Sequence, residues 1–131
     1  MTRNNVSDTE AREELNKRSK KITEEDLGKV IKNKSKIEQL VAGHGPLKRF
    51  YEDIKLLISM VKDYYSGAYR EIPWWAISAV VAALLYVLSP IDLIPDVIPL
   101  VGFIDDAAVV TACLKLIEMQ LKEYKSWKYA Q

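Results

Sequence analysis

Two residue types that build many small active sites are nearly missing from this chain. There is one cysteine, Cys113, and one histidine, His44. A single cysteine excludes an internal disulfide framework and a cysteine-rich zinc site. A single histidine leaves Cys/His and Ser/His/Asp constellations with no spare member. His44 lies between Gly43 and Gly45 with no ligand partner nearby in sequence, which reads as a solvated turn. No glycine-rich phosphate loop, HExxH, GxSxG or CxxC occurs. Only 5 glycines and 5 prolines are present, which excludes collagen-like and low-complexity architectures. An excess of one charge is also missing: 19 Lys and Arg stand against 18 Asp and Glu. A strongly basic nucleic-acid module is not expected from that balance. No apolar run opens the chain, so no signal peptide is expected and the N-terminus is expected to remain cytoplasmic.

The near-neutral total hides a segregation. No Lys or Arg occurs in the 44 residues between Arg70 and Lys115. The only charges there are Glu71, Asp92, Asp96, Asp105 and Asp106. This is also the most apolar part of a chain of 131 residues that is 49% hydrophobic, enough for one domain with a real core.

Periodicity reads as helix throughout. Ser7-Asp8-Thr9-Glu10 has capping-box spacing and predicts a short, sparsely apolar helix toward Lys20. Thr23-Glu24-Glu25-Asp26 predicts a second start, with acids favoured by the helix dipole and Ile22 and Leu27 at staple positions. Val30, Ile31, Ile37, Leu40 and Val41 continue a broken apolar stripe up to the turn Gly43-His44-Gly45-Pro46. Leu47, Phe50, Tyr51, Ile54, Leu57, Ile58, Val61, Tyr64 and Tyr65 recur every three or four residues. They predict an amphipathic helix of about five turns. Pro73 then opens WWAISAVVAALLYVL, which is apolar all round. Such a segment is either a buried core helix or a membrane segment. Its length of about 24 Å falls short of the roughly 30 Å hydrocarbon core, which leaves both readings open. Three prolines in Ser89–Gly102 forbid a regular helix. The last helix is expected from Asp105 to about Lys125.

The run Tyr86-Val-Leu-Ser-Pro-Ile-Asp-Leu-Ile-Pro-Asp-Val-Ile-Pro-Leu-Val-Gly-Phe-Ile-Asp-Asp106 resembles the signature of the YkvA-like family. These are small bacterial domains of unknown function. The pattern is approximately YxxSPxDLIPDxIPxxGxxDD, and every position is met. The resemblance extends from about Pro46 to Trp127. It implies a helical hairpin often described as a membrane protein, and no reaction, substrate or cofactor.

The fold expected is all-α: a small helical bundle with an apolar hairpin and a Pro/Asp-rich connecting loop. A charged helical segment is expected over 1–45, the family-like domain over 46–127 and a tail over 128–131. Ser89, Pro90, Pro95, Pro99 and Gly102 are read as shaping the loop. Aromatic clusters flank the hairpin: Tyr64, Tyr65, Tyr69, Trp74 and Trp75 before it, and Tyr124, Trp127 and Tyr129 after it. With Lys62, Arg70, Lys115, Lys122, Lys125 and Lys128 at the same outer ends, they resemble an interfacial belt. Trp74, Trp75, Tyr86 and Leu88 are the candidate membrane or partner interface.

Asp92, Asp96, Asp105 and Asp106 are the chemical candidates. Converging carboxylates suit a divalent cation such as Mg²⁺ or Ca²⁺, or a shared proton. Otherwise they cap helices. Lys17, Arg18, Lys20, Lys21, Lys29, Lys32, Lys34 and Lys36 could draw anionic headgroups, or form a solvated face. Ser78 and Thr111 read as helix-packing residues rather than nucleophiles.

The function expected is that of a non-enzymatic, membrane-associated protein on the cytoplasmic side, binding a partner or the bilayer. The alternatives are a carboxylate-metal protein or hydrolase on the four aspartates, and a cytoplasmic homo-oligomeric module. No cofactor and no nucleic-acid partner are expected, a divalent cation being the alternative.

Overall fold

The computed structural model describes residues 2–43, 45–88 and 106–130, with side chains from Thr9 onward. They form an all-α bundle: α1 (Thr2–Ser19), α2 (Glu24–Lys32), α3 (Lys34–Gly43), a 3₁₀ turn (Gly45–Phe50), α4 (Tyr51–Ser66), α5 (Trp74–Leu88), α6 (Asp106–Leu116) and α7 (Glu118–Tyr129). No strand occurs among the described residues.

α5 is the axis around which the others pack. Ala76, Ile77, Ala79, Val80, Val81, Ala82, Ala83, Leu84 and Val87 are all at most 2% exposed. The wall around α5 is protein: α1, α2, α3, α4 and α6 each pack against it. An all-round apolar helix is thereby explained as a core helix. No helix among the described residues is long and apolar enough to cross a membrane. Alanines on α5 let neighbouring backbones approach closely, and the Cys113 thiol of α6 comes 3.8 Å from the Ala79 carbonyl. Ser78 bonds back to the Trp74 carbonyl at 2.8 Å and the Trp75 carbonyl at 3.2 Å, so its hydroxyl is satisfied within the helix.

Residues before and after position 45 share one core. α1 contributes Ala11 and Leu15, four apart and both buried, and it packs on α5 and α6. At the edge of this packed face α1 carries the Glu14–Arg18 ion pair at 2.6 Å, and the Arg18 guanidinium caps the Tyr86 ring of α5 at 4.7 Å. α2 starts as its sequence predicts: the Asp26 carboxylate accepts the Thr23 backbone N–H at 2.9 Å.

Three helices depart from the simple periodic reading. The stripe through Val41 bends at Asn33 (φ −102°, ψ 18°), whose side-chain amide donates to the Lys29 carbonyl at 2.8 Å. Residues 45–50 wind as 3₁₀, which puts Leu47 and Phe50 on one edge and lets both face the core. The last helix bends at Ile117 (φ −107°, ψ 23°) instead of running straight. Cys113, Ile117 and Tyr124 are all fully buried, and the bend keeps this single apolar line against the bundle.

Burial pushes the Cys113 thiol up to about 12. A buried, protonated thiol is a poor nucleophile. Cys113 is therefore expected to resist Ellman's reagent in the native protein at pH 8 and to react fully in denaturant. Rapid native labelling at stoichiometric level would contradict this packing.

Candidate functional site

The end of α4, the connection 67–73, the start of α5 and the end of α7 come together at one end of the bundle. α4 stops at Gly67, whose φ of 88° is the left-handed conformation that glycine adopts without strain. The Tyr64 carbonyl accepts both the Gly67 N–H at 3.1 Å and Arg70 Nε at 2.8 Å. The Arg70 guanidinium then covers the Tyr64 ring at 4.6 Å, and that ring meets Trp74 at 6.3 Å.

The two aromatic groups of the sequence meet here. Tyr69 packs edge-on against Tyr124 at 5.3 Å and against Trp127 at 4.8 Å. Tyr69 and Tyr124 are buried. Their neighbours are not: Trp74 is 40% exposed, Trp75 49%, Tyr65 51% and Tyr129 74%. These exposed rings make this end of the bundle the candidate contact surface. Tyr86 and Leu88, at the opposite end of α5, are half-buried.

Beneath the aromatic end runs a polar chain that the sequence did not announce. Tyr124 Oη donates to Asp63 Oδ2 at 2.5 Å and lies 2.6 Å from Ser59 Oγ. Lys128 Nζ reaches the same Asp63 oxygen at 3.0 Å. The network ties α7 to α4 across more than 60 positions of sequence. Burial, and then the hydrogen bond to Asp63, raise the Tyr124 phenol above its ordinary value. Burial also raises Tyr69, with Glu123 and Glu71 adding to it. A donor to a carboxylate must stay protonated, so the network is a structural clasp.

Of the four aspartates, Asp106 is the first residue of α6 and is half-buried. Asp92, Asp96 and Asp105 lie outside the described residues, as do Ser89, Pro90, Pro95, Pro99, Gly102 and His44. Among the described residues no three His, Cys, Asp or Glu side chains converge on a metal-sized point.

The comparisons with known proteins fall on this frame. Residues 76–112 match the family described as "Protein of unknown function (DUF1232)". The "Uncharacterized membrane protein YkvA" of Bacillus subtilis (strain 168) is 37% identical over 81 residues, covering 62% of this chain and 76% of that protein. The chain belongs to the YkvA family. No solved structure matches it. The segment matched to the family description takes in most of α5 and the first part of α6, which is the centre of the bundle. The exposed tryptophans and the Ser59–Tyr124–Asp63–Lys128 chain flank that YkvA-like centre.

Proposed function

We propose that this YkvA-like chain is a non-enzymatic helical protein that sits on the cytoplasmic surface of the membrane, docking through its aromatic end. The observation that carries this reading is the exposure of Trp74, Trp75, Tyr65 and Tyr129, with Arg70 on the Tyr64 ring that meets Trp74 and Lys128 over Trp127. Aromatic rings with a polar edge favour the headgroup region, and adjacent cations are drawn to anionic lipid. The bundle spends its most apolar helix on its own core, so attachment at the surface fits better than crossing. The name of the Bacillus subtilis relative, a membrane protein, supports the same reading.

Vesicle flotation tests it. The protein is expected to float with phosphatidylcholine–phosphatidylglycerol vesicles and to be released by carbonate. Trp74→Ser with Trp75→Ser is expected to weaken binding by at least about tenfold. Because both rings are half-exposed, the thermal midpoint should move little. Wild-type protein that stays unbound, or a double variant that floats equally well, would overturn the reading.

A further inference from the structure

α3, α4 and the end of α7 line a second feature, an open cavity of about 190 Å³. Its floor is Ile58, which is buried. Its rim is cationic: Lys34 of α3, Lys55 and Lys62 of α4, and Lys128 of α7. Only two carboxylates answer these four ammonium groups, Glu38 and Asp63. Asp63 is already committed, since it holds Lys128 at 3.0 Å and takes the Tyr124 hydroxyl. Lys34 and Lys62 are left with Glu38 as the remaining carboxylate on the rim, while the Lys55 ammonium lies over the Tyr51 ring at 5.1 Å, in a protein whose net charge is only +1.

Local structure sharpens the imbalance. Lys55, Ser59 and Lys62 lie on one stripe of α4, at spacings of four and three, so the cavity collects like charges that could have been spread around the helix. α3 carries Lys34 in its first turn and no acid there, the reverse of what the helix dipole favours. Concentrated positive charge around a concave surface raises the local density of anions.

We propose that this cavity binds a phosphate monoester group, with Lys34, Lys55 and Lys62 supplying its charge. Several ammonium-bearing side chains lining one cavity suit a dianion better than a single carboxylate. The volume sets the size of the ligand. It lies below the roughly 300–1,000 Å³ of sites that enclose drug-sized molecules, so the cavity takes the phosphate and leaves the remainder outside. The phosphate comes either from a lipid headgroup or from a free small phosphate ester. This site stands on the cavity itself and does not depend on membrane docking.

Calorimetric titration of the full chain with glycerol 3-phosphate and with inorganic phosphate tests the proposal. Saturable binding is expected, weakened at least about tenfold in Lys34→Gln with Lys62→Gln. Both lysines are exposed, so the fold should survive. Lys122→Gln with Lys125→Gln makes the same change in net charge away from the cavity and should leave the affinity within about twofold, since distant exposed charges are screened. No saturable heat from either probe, or equal affinity in the Lys34/Lys62 variant, would overturn the proposal. Flotation with phosphatidylcholine–phosphatidic acid vesicles then assigns the source. Loss of flotation in the Lys34/Lys62 variant supports the site with a lipid headgroup as ligand, and retained flotation supports it with a free ester. Failure of the docking reading looks different: wild-type protein that ignores all vesicles yet binds glycerol 3-phosphate.

Discussion

Leu84→Ala is expected to destabilise the protein by about 2–5 kcal/mol, the range for emptying a buried leucine site. Leu84 is fully buried near the middle of α5, with other helices packed around it. A loss of that size lowers the thermal midpoint by roughly 10 °C in a domain of this length. Met119→Ala is the control. Met119 is 66% exposed, and its truncation should stay within about 0.5 kcal/mol. Thermal melts by circular dichroism in detergent-free buffer separate the two cases. If the two variants melt together, α5 is not the core helix described here. If only Leu84→Ala falls, the apolar run Trp74–Leu88 owes its character to packing within the protein.

The second large effect concerns the clasp between α4 and α7. Tyr124→Ala removes a fully buried ring that touches Tyr69 and Trp127, and by analogy with other aromatic truncations it should cost about 3–5 kcal/mol. Tyr124→Phe keeps the ring and removes the hydroxyl, leaving Asp63 without its closest donor. About 1.5–3 kcal/mol is expected, as for a hydrogen bond to a charged group. The pH dependence distinguishes the two contributions. The folded protein holds the Tyr124 phenol above its unfolded value of 10.0, so the native state retains a proton that the unfolded state releases. Stability from this group is fully present below pH 10 and is lost as pH climbs beyond it. Denaturant midpoints should therefore fall on the alkaline side, and fall less steeply above pH 10 in Tyr124→Phe. The buried Cys113 thiol acts in the same direction from about pH 9, in both proteins alike. Identical alkaline slopes for wild type and Tyr124→Phe would contradict the clasp.

Helix class and helix order were legible from periodicity, because each amphipathic stripe needs a partner face. Caps were a weaker guide, since α1 starts at Thr2 and runs through the Ser7–Glu10 box, and α4 and α7 follow Phe50 and Ile117 with no side-chain cap. Thr23 with Asp26 is a cap that holds to the atom. The role of Trp74–Leu88 was not legible. A helix surrounded by protein and a helix surrounded by lipid require the same apolar surface on every side. What separates them is the neighbours, and one of these, α1, offers Ala11 and Leu15 as its buried hydrophobics among the described side chains. Two residues at helical spacing are too weak a stripe to announce docking. The bends at Asn33 and Ile117 were hidden for a related reason: neither residue breaks helices intrinsically, and the geometry serves packing set elsewhere in the chain.

The candidate site was legible in part. Both aromatic groups stood out in the sequence, and the structure joins them through Tyr69, Tyr124 and Trp127. The Asp63 network was not visible, because Asp63 reads as one more charge on the outer face of α4 and its partners lie beyond α5 and α6. Likewise Lys34 belonged to a long basic run, and nothing in that run marks it as the lysine that faces Lys62 across a cavity.

The packing of α1 against α5 and α6 also governs the order in which this protein can be made. During synthesis α1 leaves the ribosome well before the helices that cover Ala11 and Leu15, which begin only at Trp74 and Asp106. The intervening chain must be translated before that closure forms, so α1, made before α5 and α6, waits for them to settle. Contacts between distant segments of this kind slow folding relative to a bundle of sequential neighbours. A nascent chain halted before α6 would present the apolar flank of α5 to whatever lies nearby, whether a chaperone, a second chain or a lipid surface.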